Sequence, residues 1–94
     1  MNYLVTDLEC TCTNSNEFPR EQMEIIEIGS VLLNSNLEII GEYSTFVKPT
    51  INPQLTTFCK DLTHIKQEWV DNADTIDNVL PNFEAWARSH GEYT

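Results

Sequence analysis

Leu4-Val5-Thr6-Asp7-Leu8-Glu9-Cys10-Thr11-Cys12 is the stretch that sets the reading of this chain. Tyr3 to Thr6 are apolar or β-branched, the composition of a buried strand, and the run ends at Asp7. On a strand, residues two apart point to the same face. Asp7 and Glu9 therefore place two carboxylates side by side at the strand's end. Such a pair repels itself unless a cation lies between its members. Mg²⁺ and Mn²⁺, which prefer oxygen ligands and keep several waters, suit it. Read alone, Asp-x-Glu fits two solvated acids at an exposed strand end at least as well. Its surroundings favour the cation: an apolar strand before it, a loop of small residues after it, and a second apolar strand to follow.

Working outward, Thr13-Asn14-Ser15-Asn16 is a polar turn cluster, which predicts a loop over 11–22. Glu24 to Leu33 reads as a second strand, Asn34-Ser35-Asn36 as a hairpin turn, and Leu37 to Val47 as a third strand stopped by Lys48-Pro49. The period then changes. Asn52 is a helix N-cap candidate with Pro53 at the first helical position, and Leu55, Phe58, Cys59 and Leu62 follow at helical spacing as one buried face. A short helical turn is predicted over Gln67 to Asp71. Asp74-Thr75 opens a last helix whose buried stripe is Ile76, Val79, Leu80, Phe83, Trp86 and Ala87. Pro81 should kink it, and Gly91 should end it. The order β-β-β-α-α-α predicts an α/β fold, a three-stranded antiparallel sheet followed by helices. The apolar runs around Val5 and Ile28 predict strands covered on both faces, which implies that more protein packs there than 94 residues supply.

Fifteen acidic residues face five basic ones, a net charge of −10. Phosphate backbones are held by Lys and Arg, so this chain alone is expected to be a poor general nucleic-acid binder. The three cysteines, Cys10, Cys12 and Cys59, are an odd number and read as reduced thiols rather than a secreted disulfide framework. Cys10-x-Cys12 lacks the second ligand pair of a structural zinc site. No apolar run approaches the ~20 residues of a membrane span. With no basic, apolar leader visible, the expected compartment is the cytoplasm.

The stretch from Leu4 to Cys12 resembles the first motif of the DEDD superfamily of 3′–5′ exonucleases, in its DEDDh-type group with RNase T and the DNA polymerase III proofreading subunit. Glu24-Ile25-Ile26-Glu27-Ile28-Gly29 resembles that group's second-strand signature. Phe46-Val47-Lys48-Pro49, Ile51-Asn52-Pro53, Phe58-Cys59, Leu62-Thr63-His64-Ile65 and Val70-Asp71-Asn72-Ala73 follow in the family's order, so the resemblance covers essentially the whole chain. It implies a partial RNase H-like fold and a metal-dependent hydrolase acting on the 3′ end of single-stranded RNA or DNA with a two-metal site of Mg²⁺ or Mn²⁺. Asp7 and Glu9 would be the first two of four metal-binding acids. The backbone of Leu8, Cys10 and Thr11 would face the terminal nucleotide, and Phe58, Leu62 and Thr63 would line its base and sugar. Phe58 and Leu62 fit a helix core stripe equally well, and Glu24 and Glu27 are secondary candidates beside the metals.

Two departures stand out. His64 occupies the place of the family's Gly in Leu-Thr-Gly-Ile, where a left-handed backbone is needed and His is better tolerated than most residues. The third acid, the general base and the fourth acid fall beyond Gly91-Glu92-Tyr93-Thr94. Residues 1–94 are therefore expected to be the N-terminal portion of an exonuclease domain with the C-terminal strands missing, inactive alone, and prone to self-association or to pairing with a complementing C-terminal segment through the open strand 3–9. The alternative is a non-catalytic acidic interaction protein that reuses the fold.

Overall fold

In the computed structural model, which describes residues 1–94, the sheet comprises β1 (Tyr3–Cys10), β2 (Ile25–Leu33) and β3 (Ile39–Phe46), and the helices are α1 (Thr57–Thr63), α2 (Gln67–Asp71) and α3 (Ile76–Arg88). A single 3₁₀ turn, Arg20–Gln22, interrupts the loop after β1. The sheet is antiparallel in the order β1-β2-β3. This is the architecture that the sequence predicts.

Cross-strand register sorts the side chains into two layers. Leu4, Thr6 and Leu8 stand opposite Leu32, Ser30 and Ile28, and Ser30 stands opposite Tyr43. That face meets α3, where Ile28, Val47, Val79 and Phe83 form one core with Leu4, Tyr43 and Trp86 packed around it. The Tyr43 ring lies 5.2 Å from both Phe83 and Trp86. A Cβ at Gly41 would come within 3.1 Å of Trp86, so glycine is what lets the indole lie against β3. Between Glu9 and Cys10 the register slips, passing over Ile26. That bulge sends Ile26 to the other layer, where it packs with Leu55, Cys59, Ile65 and Val70 from the α1–α2 region. Each such fully buried aliphatic side chain stabilises the fold by roughly 1.5–3 kcal/mol.

Several local expectations change. β3 begins at Ile39, because Asn34 Oδ1 accepts from the N–H groups of Asn36 and Glu38, which puts Leu37 into the turn with φ 65°. α1 is capped by Thr56 rather than Asn52: Thr56 Oγ1 accepts from Cys59 N–H at 3.0 Å and donates to the Cys12 carbonyl at 2.6 Å. Leu62 and Leu80 are more than half or half exposed, outside the buried stripes in which periodicity places them. α3 runs through Pro81 without a break and without a side-chain bond from its N-cap residue, Thr75.

β1 is not a buried strand. It forms the sheet's edge, with Val5 at 52% and Leu8 at 45% exposure. Only its start is covered. Asn2 N–H donates to Glu92 O, Thr94 N–H to Asn2 O and Leu4 N–H to Thr94 O, a short parallel bridge. By strand alternation the outward groups of Thr6 and Leu8 lie on the same edge. The radius of gyration, 14.9 Å, exceeds the ~12 Å of a compact domain this long. No helix is long and apolar enough to cross a membrane.

Candidate active site

The regular pairing that precedes the bulge sets the site. Asp7 is paired with Gly29, Glu9 with Glu27, and Glu27 with Phe46. All three acids therefore share the face opposite α3, between the bare end of the sheet and the α1–α2 layer. Gly29 puts no side chain beside Asp7; a Cβ there would touch only the Asp7 carbonyl, at 3.9 Å. The chain's one ion pair, Arg88–Glu84, lies on α3, so no basic side chain neutralises these carboxylates. Burial, then the charge of Glu9, then that of Asp7 push the Glu27 carboxyl above its ordinary value. An anionic face of this kind favours a divalent cation. No three His, Cys, Asp or Glu side chains converge to hold an ion by themselves, so Asp7 and Glu9 offer a pair of oxygen ligands and not a closed cage.

The remaining sequence candidates divide. Leu8 is exposed on the α3 face near the open edge. Cys10 is half-buried, and its carbonyl receives the Cys59 thiol at 3.7 Å. Thr11 is buried; its N–H donates to Glu24 O and its hydroxyl accepts from Glu24 N–H. Those bonds occupy the Thr11 N–H and one acceptor position of its hydroxyl. Thr63 likewise turns its hydroxyl to the Cys59 carbonyl and to Ile65 N–H, closing α1. Phe58 and Leu62 do come together: with Asn14, Thr57 and Asp61 they line an open cavity of about 480 Å³.

Glu24 is a structural acid. Its two oxygens accept from the backbone N–H groups of Thr50, Ile51 and Asn52 at 2.7–3.1 Å and from the Thr50 hydroxyl. Burial pushes its carboxyl up, but those bonds outweigh it and hold the group below the ordinary glutamate range. Sequence reasoning keeps it only as a secondary candidate beside the metals; nothing local in Glu24-Ile25-Ile26 signals a clamp on a loop 26 residues away. Burial, with Cys59 and Glu9 nearby, raises the Cys12 thiol to about 11, and burial with Glu9 raises that of Cys10.

His64 ends α1 in the left-handed conformation, φ 61° and ψ 19°, with its N–H on the Lys60 carbonyl. The residue that departs from the family's glycine thus adopts glycine's backbone.

Comparison with known proteins agrees with this arrangement. Residues 4–93 match the RNase T exonuclease family, and the chain belongs to that family. Human 3′-5′ exoribonuclease 1 is 44% identical over 85 residues, 89% of this chain and 24% of the human protein. The nuclease domain of 3′hExo, a DEDDh family member bound to rAMP, superposes with a TM-score of 0.87 at 39% identity, covering 99% of this chain and 49% of that one. A structure describing 3′-end-specific recognition of a histone mRNA stem-loop by a 3′-exonuclease gives 0.89 at 37% identity, covering 99% of this chain and 34% of that chain. The chain spans about a quarter of the length of the curated relatives it matches. The RNase H-like assignment and the DEDDh kinship follow from these matches.

Proposed function

We propose that residues 1–94 are the N-terminal portion of a metal-dependent 3′–5′ exonuclease domain that removes nucleotides from the 3′ end of single-stranded RNA. The observation that carries this reading is the shared face of Asp7 and Glu9, bare of basic partners, in a chain of the RNase T family. RNA rather than DNA is chosen because the similar human protein is named an exoribonuclease.

Asp7 and Glu9 would hold Mg²⁺ or Mn²⁺ as two oxygen-donor ligands. A bound pair of such ions supplies an activated water and charge stabilisation for the leaving oxygen of a phosphodiester. The chain's own part is to fix both carboxylates on one strand and to keep basic side chains away from that face, so that its charge is left for a metal. The Cys10 backbone follows the pair on β1 and would face the substrate, whereas the Leu8 side chain stands on the opposite, α3 face. Thr63 positions the end of α1, while Phe58 and Leu62 receive the terminal base.

The remaining acids and the base are supplied by protein that pairs with the open edge of β1. Glu92–Thr94 already run parallel to the start of that edge. A complementing segment in the same direction, or a second copy of this chain, would continue alongside Thr6 and Leu8. We place the enzyme in the cytoplasm.

The test is Mn²⁺ binding followed by electron paramagnetic resonance. The wild-type chain should bind Mn²⁺, and Asp7→Ala or Glu9→Ala should weaken binding at least about tenfold, as expected when one of two charged ligands is lost. Mn²⁺ binding that ignores both substitutions sinks the assignment. The net charge of −10 favours a second reading, an acidic module that docks a basic protein. Absent metal binding together with tight capture of a polycationic partner supports that one.

A further inference from the structure

We infer that Asp61, with Asn14 across the cavity, reads the base of the 3′-terminal nucleotide and favours bases that carry amino donors, guanine most, over uracil. This rests on the exonuclease reading of the site and adds to it a specificity-determining residue.

The cavity lies beside the stretch that carries the acids. α1 is tied to the chain just after Glu9 by Thr56 Oγ1 on the Cys12 carbonyl at 2.6 Å and by the Cys59 thiol on the Cys10 carbonyl at 3.7 Å. Thr57, Phe58, Asp61 and Leu62 line it from one side of α1, and Asn14 from the loop opposite. Residues three and four apart on a helix share a face, so the Asp61 carboxylate stands on the same side as the Phe58 ring. Leu62, 61% exposed, completes an apolar wall that no part of the fold covers.

The lining decides the occupant. About 480 Å³ is ample for a nucleobase. No Lys or Arg borders it, so a phosphate would find a carboxylate where it needs a cation. A flat, neutral ring with an aromatic neighbour and donor groups at its edge fits instead.

A carboxylate such as that of Asp61 accepts hydrogen bonds and donates none. Guanine offers it two adjacent donors, the N1–H and the exocyclic amino group. Adenine and cytosine each offer one amino group. Uracil offers a single N–H flanked by two carbonyls, both of which meet the carboxylate unfavourably. The Asn14 amide carries donor and acceptor and can meet whichever edge group remains.

The experiment titrates guanosine, adenosine, cytidine and uridine into the ¹⁵N-labelled chain without metal, following amide shifts. Nucleosides carry no phosphate, so the outcome does not depend on the metal site. Guanosine should move the amides of Asn14, Thr57 and Asp61 and bind at least about threefold tighter than uridine, the size of one modest hydrogen-bond difference. Asp61→Asn should bring the two within about twofold, because an amide donates as well as accepts. Phe58→Ala should weaken all four. Equal binding of uridine and guanosine, a preference that survives Asp61→Asn, or no nucleoside binding at α1 overturns the inference. Mn²⁺ binding on the same samples separates the two ideas. If Mn²⁺ depends on Asp7 and Glu9 while no nucleoside binds at α1, base reading fails and the exonuclease assignment stands. If the guanosine preference holds without Mn²⁺ binding, base reading is supported and the metal assignment fails.

Discussion

Glu27 stands directly opposite Glu9 across the β1–β2 ladder, with Asp7 two residues along on the same face. Like charges opposite one another destabilise a sheet, and the raised carboxyl of Glu27 records burial first and then those two charges. Glu27→Gln keeps the side chain's shape and removes the repulsion. We expect it to raise stability at neutral pH by about 0.2–1 kcal/mol, read as a higher midpoint in urea unfolding. A lower midpoint would mean that Glu27 makes a favourable contact with this face that its geometry does not show.

Glu24 has the opposite sign. Its carboxyl is held below its ordinary value of 4.5 by three backbone N–H donors and a hydroxyl, against the upward push of burial. A group depressed in the fold adds stability that is fully present above the unfolded value and is lost as pH falls through the folded one. Glu24→Gln should therefore cost about 1–3 kcal/mol at pH 7, since bonds to a charged acceptor are replaced by weaker ones. The gap between wild type and variant should close as pH is lowered below 4.5. Chemical unfolding at pH 7, 5 and 3 checks this; a gap that widens in acid contradicts the clamp.

How far the sequence could take the fold is visible in the same residues. The parity of Asp7 and Glu9 and the alternation of β2 are local, so the acids' shared face and the antiparallel sheet could be read directly. The helix start could not. Asn52-Pro53 and Thr56 are both acceptable openings, and Thr56 wins through its bond to the Cys12 carbonyl, a partner 44 residues away. Composition marks β1 as apolar and so suggests burial; its place at the open edge is legible only through the family resemblance. Leu62 and Leu80 keep helical spacing with the buried stripe, yet periodicity cannot tell a residue facing the core from one facing open space. Thr11 reads as a group beside a ligand because its motif is local, while its hydroxyl partner, Glu24 N–H, is set by the pairing of two strands.

His64 pays for its place in Leu62-Thr63-His64-Ile65 with a left-handed backbone, φ 61°. Such a conformation costs a residue with a Cβ about 1–2 kcal/mol, part of which glycine returns as unfolded-chain entropy. His64→Gly should stabilise the chain by about 0.5–1 kcal/mol, and His64→Val should destabilise it, since a β-branched side chain is worse there. Thermal unfolding of the three proteins should rank them Gly, His, Val. Any other order would show that the His64 side chain, exposed beyond α1, makes a contact that matters more than its backbone.

The edge of β1 leads to the last expectation. Asn2 and Leu4 already use it to bond Glu92–Thr94, whereas the outward groups of Thr6 and Leu8 are left for another strand. Two opposing effects act on self-pairing. An apolar, unpaired edge with Val5 and Leu8 exposed favours it. The charge of −10 and the carboxylates of Asp7 and Glu9 oppose it. Salt screens the second effect and leaves the first. Sedimentation of the 94-residue chain should therefore show association that strengthens from low to high ionic strength. Thr6→Pro, which removes an outward donor and cannot extend a ladder, should reduce it at every salt concentration. Association that weakens with salt would place the contact between charged surfaces elsewhere, and a strict monomer at millimolar concentration would leave the β1 edge available only to a complementing segment.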